Sequence, residues 1–265
     1  MSGVSNTITN QEKFDRGQIE VDFITKSFDS DAGNILALDG INLEVVPQEF
    51  ITLVGRSGCG KSTLLRCIGG LIAPTTGSIK ISGQIVTKPH PQIGYVFQQP
   101  VLLPWRTVEA NVSLPFEVKG KPPKEEKNNV KKVLEIVGLS DYAKHRPGEL
   151  SGGMQQRVSV SRALVTEPSI LLMDEPFGAL DAQTREDMNV ELLRIWEVAK
   201  TTIVFVTHDI GEALFLSDRV VIMSARPGKI DDIIEVNSPR PRSFDQVEND
   251  PEFWKMRQRI RKALH

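Results

Sequence analysis

FITLVGRSGCGKS, residues 50–62, is an apolar strand-like run followed at once by a glycine-rich octet, and the amphipathic stretch TLLRCI continues directly from it. Gly55-Arg56-Ser57-Gly58-Cys59-Gly60-Lys61-Ser62 fits the spacing GxxxxGK[ST], and the strand before it and the helix after it are the setting in which that spacing makes a phosphate-binding loop. The glycines let backbone N–H groups curl around phosphate oxygens, and the helix that follows adds the positive end of its dipole. Lys61 is expected to bridge the β- and γ-phosphates as a point charge, with the Ser62 hydroxyl on Mg²⁺.

Working outward, short strand-like runs alternate with helical stretches: IEVDF (19–23), IGYVF (93–97), SILLMDE (169–175), TIVFVTH (202–208) and RVVIM (219–223). The alternation predicts an α/β fold. Several runs are continuously apolar and end on a polar residue, as parallel strands buried on both faces do, so functional groups are expected at the strand ends: Gly55, Gln98, Asp174, Glu175 and His208. SILLMDE ends in two carboxylates whose order suggests separate roles. Asp174 would hold Mg²⁺ through water, and Glu175 would orient or deprotonate an attacking water. The segment 107–148 has no comparable strand run and reads as helical, with the lysine-rich stretch 119–132 as a solvated loop and helix start.

The composition sets the bounds. With 265 residues, 40% hydrophobic and 25% charged, the chain is an ordinary globular one, and a net charge of -2 gives no whole-chain field for gripping nucleic acid. No five consecutive apolar residues occur, so no membrane span is expected. Residues 1–17 lack the basic start and apolar stretch of a secretion signal and read as a polar tail. Two cysteines, Cys59 and Cys67, make no disulfide framework, which favours the reducing cytosol. Cys59 lies within the phosphate loop, where backbone N–H groups and Lys61 favour a thiolate. A fast-reacting thiol is expected if solvent reaches it, and an inert one if its sulfur merely fills a small slot; Cys67 is expected in the core.

Ser151-Gly152-Gly153, within LSGGM at 150–154 and followed by QQR, completes a set of motifs that resembles the ATPase subunits of ATP-binding cassette (ABC) transporters, over about residues 18–240. The resemblance implies a P-loop NTPase cassette with a RecA-like core, an antiparallel β subdomain and a helical signature subdomain at about 99–165, followed by a helical tail at 241–265. It implies ATP hydrolysis with Mg²⁺. The nucleotide would be bound by Gly55, Arg56, Ser57, Gly58, Cys59, Gly60, Lys61, Ser62 and Thr63. Ser151–Gly153 open a helix, physically a second anion-binding end, and in this family the signature reaches the γ-phosphate held by another subunit. Two cassettes, expected to be identical copies, thus sandwich two ATP molecules head to tail. Gln98 corresponds to the glutamine that contacts Mg²⁺ and attacking water, and His208 to the histidine on the γ-phosphate. Asp181, in Ala179-Leu180-Asp181, corresponds to the residue that touches the opposing subunit and could also cap a helix beginning near Gln183. Phe28 lies where the family stacks an aromatic on adenine, unless it is a core residue. Met154 and Gln48 depart from the usual glutamine and glycine, without removing a phosphate donor or catalytic group.

Lys61 and Ser151 stand 90 positions apart, leaving no room for the long coiled coil of the DNA-maintenance members. A single cassette also separates the chain from most translation factors, although a soluble ATPase acting on nucleic acid or translation is the alternative. Residues 102–120, 175–186, 205–230 and SPRPR (238–242) resemble the ATPases of nitrate, sulfonate and taurine importers. That group implies integral membrane permease subunits, an extracytoplasmic solute-binding protein that selects the cargo, and peripheral attachment at the cytoplasmic face of the inner (plasma) membrane. Leu102, Leu103 and Trp105 would either receive a permease helix or join the subdomain core. Residues 249–264 read as a helix capped by Asn249 or Asp250. Its five basic residues from Lys255 to Lys262 would either face water or meet acidic headgroups or the permease.

Overall fold

The computed structural model describes residues 16–30, 33–120 and 123–264. The expected tail at 1–17 lies outside the described residues except for Arg16 and Gly17. Along the chain run β1 (Ile19–Ser30), β2 (Gly33–Val45), β3 (Phe50–Gly55), α1 (Lys61–Ile68), β4 (Thr76–Ile81), β5 (Gln84–Ile85), β6 (Ile93–Val96), α2 (Val108–Lys119), α3 (Pro123–Ile136), α4 (Gly152–Leu164), β7 (Ile170–Asp174), α5 (Ala182–Ala199), β8 (Thr202–Thr207), α6 (Ile210–Leu216), β9 (Arg219–Met223), β10 (Ile230–Glu235), α7 (Phe244–Asn249) and α8 (Pro251–Leu264).

The strands form a six-stranded sheet in the order β10-β9-β3-β8-β7-β6 and a four-stranded sheet in the order β2-β1-β4-β5. In the larger sheet β3 runs parallel between β8 and β9, and β7 parallel between β6 and β8. Every residue of β3, β7 and β8 is buried, which is why these segments are apolar without alternation. Their side chains divide between two cores. Phe50, Val54, Leu171, Met173 and Phe205 face α2 to α8, whereas Ile51, Leu53, Leu172, Val204 and Val206 face α1 and the smaller sheet.

The smaller sheet differs from the simplest sequence reading. IEVDF is the first part of an antiparallel strand that pairs with β2 and β4, not a member of the parallel sheet. β2, β4 and β10 escaped the strand reading because they are half exposed and polar at every second or third position. Gly40, inside β2, adopts φ 64°, and a Cβ there would already lie 3.4 Å from the Phe23 ring.

Between β6 and β7 the chain is helical. Thr107 caps α2 by accepting the Ala110 N–H, and Gly120 ends it in the left-handed region. Among the described residues of the lysine-rich stretch, Val130 on α3 is the one that turns into the core. Leu102 and Leu103 are half-buried, Leu102 against the core, whereas Trp105 is 69% exposed, so the core reading fits Leu102 and not Trp105. At the C-terminus the expected helix is present as α8, and the short α7 precedes it. Asn249 is the last residue of α7, and Asp250 caps α8, accepting the Glu252 N–H at 2.8 Å just before Pro251. Phe253 and Ile260 bury α8 against the core. Of its basic residues, Arg259 forms a forked pair with Asp232 at 2.6 and 2.7 Å, and Lys255 pairs with Glu252.

Candidate functional site

The ends of β3, β7 and β8 lie side by side, with Val54 in register with Thr207 and Asp174 with Val206, so the groups that follow them share one edge of the sheet. Gly55 leads into the loop, where Arg56, Ser57 and Gly58 are exposed and Cys59 is buried. Gly58 and Gly60 take φ of 79° and 98°, the left-handed region that lets the chain curl. A Cβ on Gly60 would meet Leu38 Cδ2 at 2.7 Å. Gly60 opens α1 with no side-chain cap, and the first intrahelical bond is Leu64 N–H to Gly60 O at 2.8 Å. The amides of residues 61–63, including half-buried Ser62 and Thr63, therefore stand at an uncapped helix start, which is where an anion is favoured.

Lys61 is 5% exposed and curls back into the loop, where its ammonium donates to Gly55 O at 2.8 Å and Arg56 O at 3.3 Å. The loop carbonyls thus hold the cation at the centre of the curl. Ser62 Oγ donates to Asp174 Oδ1 at 2.7 Å, so two of the three proposed Mg²⁺ contacts meet across the gap between α1 and β7. Glu175 follows with φ 44°, a strained position for a residue with a Cβ, anchored by its N–H to Val206 O at 3.0 Å. Its Oε2 lies 3.3 Å from His208 Nδ1. A Cβ placed on Gly178 would sit 3.6 Å from Gln98 Nε2 and 3.8 Å from Glu175 Oε2, so the exposed Gln98 amide and this carboxylate converge over a glycine. Gly178 was not singled out in the sequence, and neither were Thr207 and Glu212 behind His208. The spacing Asp209-x-x-Glu212, a capping-box pattern, was the available signal for the last of these.

Ser151–Gly153 lie elsewhere. The Ser151 hydroxyl caps α4 by accepting the Met154 N–H at 3.3 Å, and Gly153 packs so tightly on α5 that a Cβ would come 3.0 Å from Thr184 Cγ2. Among the described residues no hydrogen bond joins 151–153 to the phosphate loop. Asp181 does cap α5, accepting the Thr184 N–H at 3.0 Å, and hydrogen bonds from Thr184 hold its carboxyl below the ordinary range. Phe28 is 40% exposed, with the Lys26 ammonium 4.9 Å from its ring centroid, so it is not a core residue. The Cys59 thiol is 1% exposed, and a Cβ on Gly55 would meet its sulfur at 2.5 Å. The small-slot reading of Cys59 therefore holds, and the expectation of a solvent-reached thiol is overturned. Cys67 is in the core, as expected, and burial pushes its thiol up to about 11. A cleft of about 370 Å³ lined by Gln48, Pro168 and Thr201 opens at the opposite, N-terminal ends of the strands, away from all these groups.

A family model described as ABC transporter matches residues 38–178, the span from β2 through the loop, the signature helix and β7. The chain belongs to the ABC transporter family. Among similar proteins, an uncharacterized ABC transporter ATP-binding protein of Methanocaldococcus jannaschii is 47% identical over 93% of this chain and 91% of its own length. An aliphatic sulfonates import ATP-binding protein of Bacillus cereus is 48% identical over 85% of this chain and 88% of its own. A bicarbonate transport ATP-binding protein of Synechocystis is 46% identical over 91% of this chain, which spans 37% of that longer protein. The structure of a dimeric ATP-binding cassette in a post-hydrolysis state, bound to ADP and phosphate, superposes with a TM-score of 0.72 at 33% identity, over 83% of this chain and 100% of that one. This cassette is an ATP-binding ATPase of the transporter type, and among its described residues no helix is long and apolar enough to cross a membrane.

Proposed function

We propose that this cassette, the ATP-binding subunit of an importer, drives uptake of a small anion or organic solute such as a sulfonate, taurine, nitrate or bicarbonate. Two copies would act together beneath a membrane permease on the cytoplasmic face, with an extracytoplasmic solute-binding protein choosing the cargo. The observation that carries the chemistry is the convergence of three strand ends, where Lys61 is fixed in the loop, Ser62 meets Asp174, and Glu175 meets His208. The importer reading rests on the similarity to sulfonate and bicarbonate transport proteins.

Lys61 and the uncapped amides of α1 would hold the β- and γ-phosphates, and Phe28 would offer its exposed ring to adenine. Ser62 and Asp174 supply hard oxygen donors within 2.7 Å of each other, the donor set that suits Mg²⁺. When bound there, the ion would offset phosphate charge. Glu175 would take the proton of the attacking water, with the Gln98 amide orienting that water and His208 at the γ-phosphate. In the cell, ATP binding would close the two cassettes, and hydrolysis with phosphate release would part them. Val101 and Trp105, both largely exposed and following Gln98 along the chain, would receive the permease.

The test separates binding from turnover. Lys61→Ala is expected to lose ATP affinity. Glu175→Gln is expected to bind ATP normally, accumulate an ATP-dependent dimer on a sizing column and hydrolyse at least about 100-fold more slowly. A fully active Glu175→Gln protein would remove the carboxylate from this role. Uptake of labelled sulfonate, taurine, nitrate and bicarbonate by cells expressing the cassette with its permease and binding protein identifies the cargo.

A further inference from the structure

Behind His208 lies a hydrogen-bonded chain for which the hydrolytic roles have no use. Asp209 caps α6, its Oδ1 accepting the Glu212 N–H at 2.9 Å. In a simple capping box the glutamate at the third helical position would return to the N–H of the cap residue. Here the Asp209 N–H donates to Thr207 Oγ1 at 3.0 Å, and that hydroxyl donates to Glu212 Oε2. A threonine hydroxyl is inserted between the two halves of the box.

The insertion fixes the residue on each side of His208. Thr207 is the last residue of β8 and is buried, and Asp209 is the cap of α6. The imidazole itself is 56% exposed, and its only hydrogen-bonding partner among the described residues is Glu175. A side chain so open to solvent is held in place mainly by its backbone. We propose that Glu212, acting through Thr207, is a positioning residue that aims His208 at Glu175 and the γ-phosphate site.

The chemistry requires an acceptor at position 212. A carboxylate has no proton to give, so it takes the Thr207 hydroxyl proton and leaves the threonine oxygen free to accept the Asp209 N–H. A donor at 212 would reverse that polarity and compete with the Asp209 amide for the same oxygen. Glu212 is 5% exposed, with Asn189 and Arg185 from α5 beside its carboxyl and Asp209 opposing it. Burial pushes that carboxyl up to about 6, so keeping it ionised at neutral pH costs the fold stability. A plain helix cap would not need a buried charge.

This inference rests on the reading of Glu175 and His208 as parts of the hydrolytic site, and the experiment separates the two. Steady-state ATP hydrolysis by the full chain is measured for Thr207→Val, Thr207→Ser, Glu212→Ala, Glu212→Gln, His208→Ala and the double variant Thr207→Val/His208→Ala. Thr207→Val and Glu212→Ala are expected to lower kcat by about 10- to 100-fold, the scale of a misaimed group, while KM for ATP moves less than about twofold. Thr207→Ser and Glu212→Gln, which keep the donor and the acceptor, should restore kcat to within about threefold of wild type. In the His208→Ala background, Thr207→Val should change the residual rate by less than about twofold, because its effect passes through the missing imidazole. If Thr207→Val and Glu212→Ala both turn over at the wild-type rate while His208→Ala does not, the positioning role is overturned and the hydrolytic site stands. Losses that multiply in the double variant overturn it equally. A wild-type rate in His208→Ala overturns the reading beneath it. If Glu212→Ala does not fold, the near-isosteric Thr207→Val decides the question.

Discussion

Gly55 is enclosed on two sides, since a Cβ there would meet the Cys59 sulfur at 2.5 Å and the Met223 carbonyl oxygen at 2.7 Å. One neighbour is a side chain that could be trimmed, and the other is backbone of β9 that cannot. Gly55→Ala is therefore expected to abolish ATP binding, measured by fluorescent-nucleotide titration, and removing the sulfur in Gly55→Ala/Cys59→Gly should not restore it. The same packing predicts that neither Cys59 nor Cys67 reacts with maleimide until the chain is denatured, and peptide mapping reads this directly. Glu212 gives a pH signature of its own. Its folded carboxyl is raised from 4.5 to about 6, so between those values the native state holds more protons than the unfolded state. Stability linked to this group is present below pH 4.5 and is lost as pH rises through 6, a decline on the order of 2 kcal/mol. Urea unfolding of wild type and Glu212→Gln at pH 4.5 and 7.5 should show that decline as the difference between the two proteins, because other titrating groups cancel.

SPRPR, residues 238–242, is a strap across the end of α6. Arg242 is 6% exposed, and its guanidinium donates to the carbonyls of Leu214, Phe215 and Ser217 at the end of α6 and to those of Val236 and Ser238 in its own segment. The carbonyl end of a helix attracts a cation, and five carbonyls compensate for its desolvation. Burial lowers its pKa only to about 10, so it stays charged at neutral pH. Arg242→Met, which keeps bulk and loses the donors, should cost about 3 kcal/mol in urea unfolding, and Arg242→Lys less. That strap was invisible in the sequence, because nothing in the spacing of two arginines says which carbonyls they will find. β3, β7 and β8 were readable for the opposite reason: strands buried on both faces must be apolar throughout, and their ends must carry whatever faces the ligand. Gly55, Gln98, Asp174, Glu175 and His208 were thus visible as residue types at strand ends, and Lys61 through the spacing of the glycine-rich loop. β2 and β10, wet on one side, carried too little apolar signal, and the glycine inside β2 weakened it further. Gly178 and Thr207 were missed because their roles lie in what they allow or hold in a neighbour, which only the packing discloses.

At the scale of the molecule, two helix starts suited to phosphate stand apart in one chain. α1 begins at the loop between β3 and the core, whereas α4 begins at Ser151, against Leu180 and Thr184 of the segment that carries Asp181. If Ser151–Gly153 serve a nucleotide, the nucleotide belongs to a second copy, an arrangement compatible with the dimeric ADP- and phosphate-bound cassette that this chain resembles. The geometry makes a prediction that single variants cannot make. Lys61→Ala removes the cation from one kind of half-site, and Ser151→Arg fills the other kind with bulk, so homodimers of either variant have two damaged sites. A mixed dimer has one site damaged on both sides and one site in which an intact loop meets an intact signature. Mixing the two inactive variants should therefore restore ATP-dependent dimerisation and up to about a quarter of wild-type hydrolysis, given that random pairing makes half the dimers mixed and each has one good site of two. Recovery should grow as the two chains approach equal amounts and vanish when either is in large excess. A flat baseline at every ratio, with both variants folded and the Ser151→Arg chain still able to bind nucleotide through its own loop, would show that the two helix ends do not meet across copies.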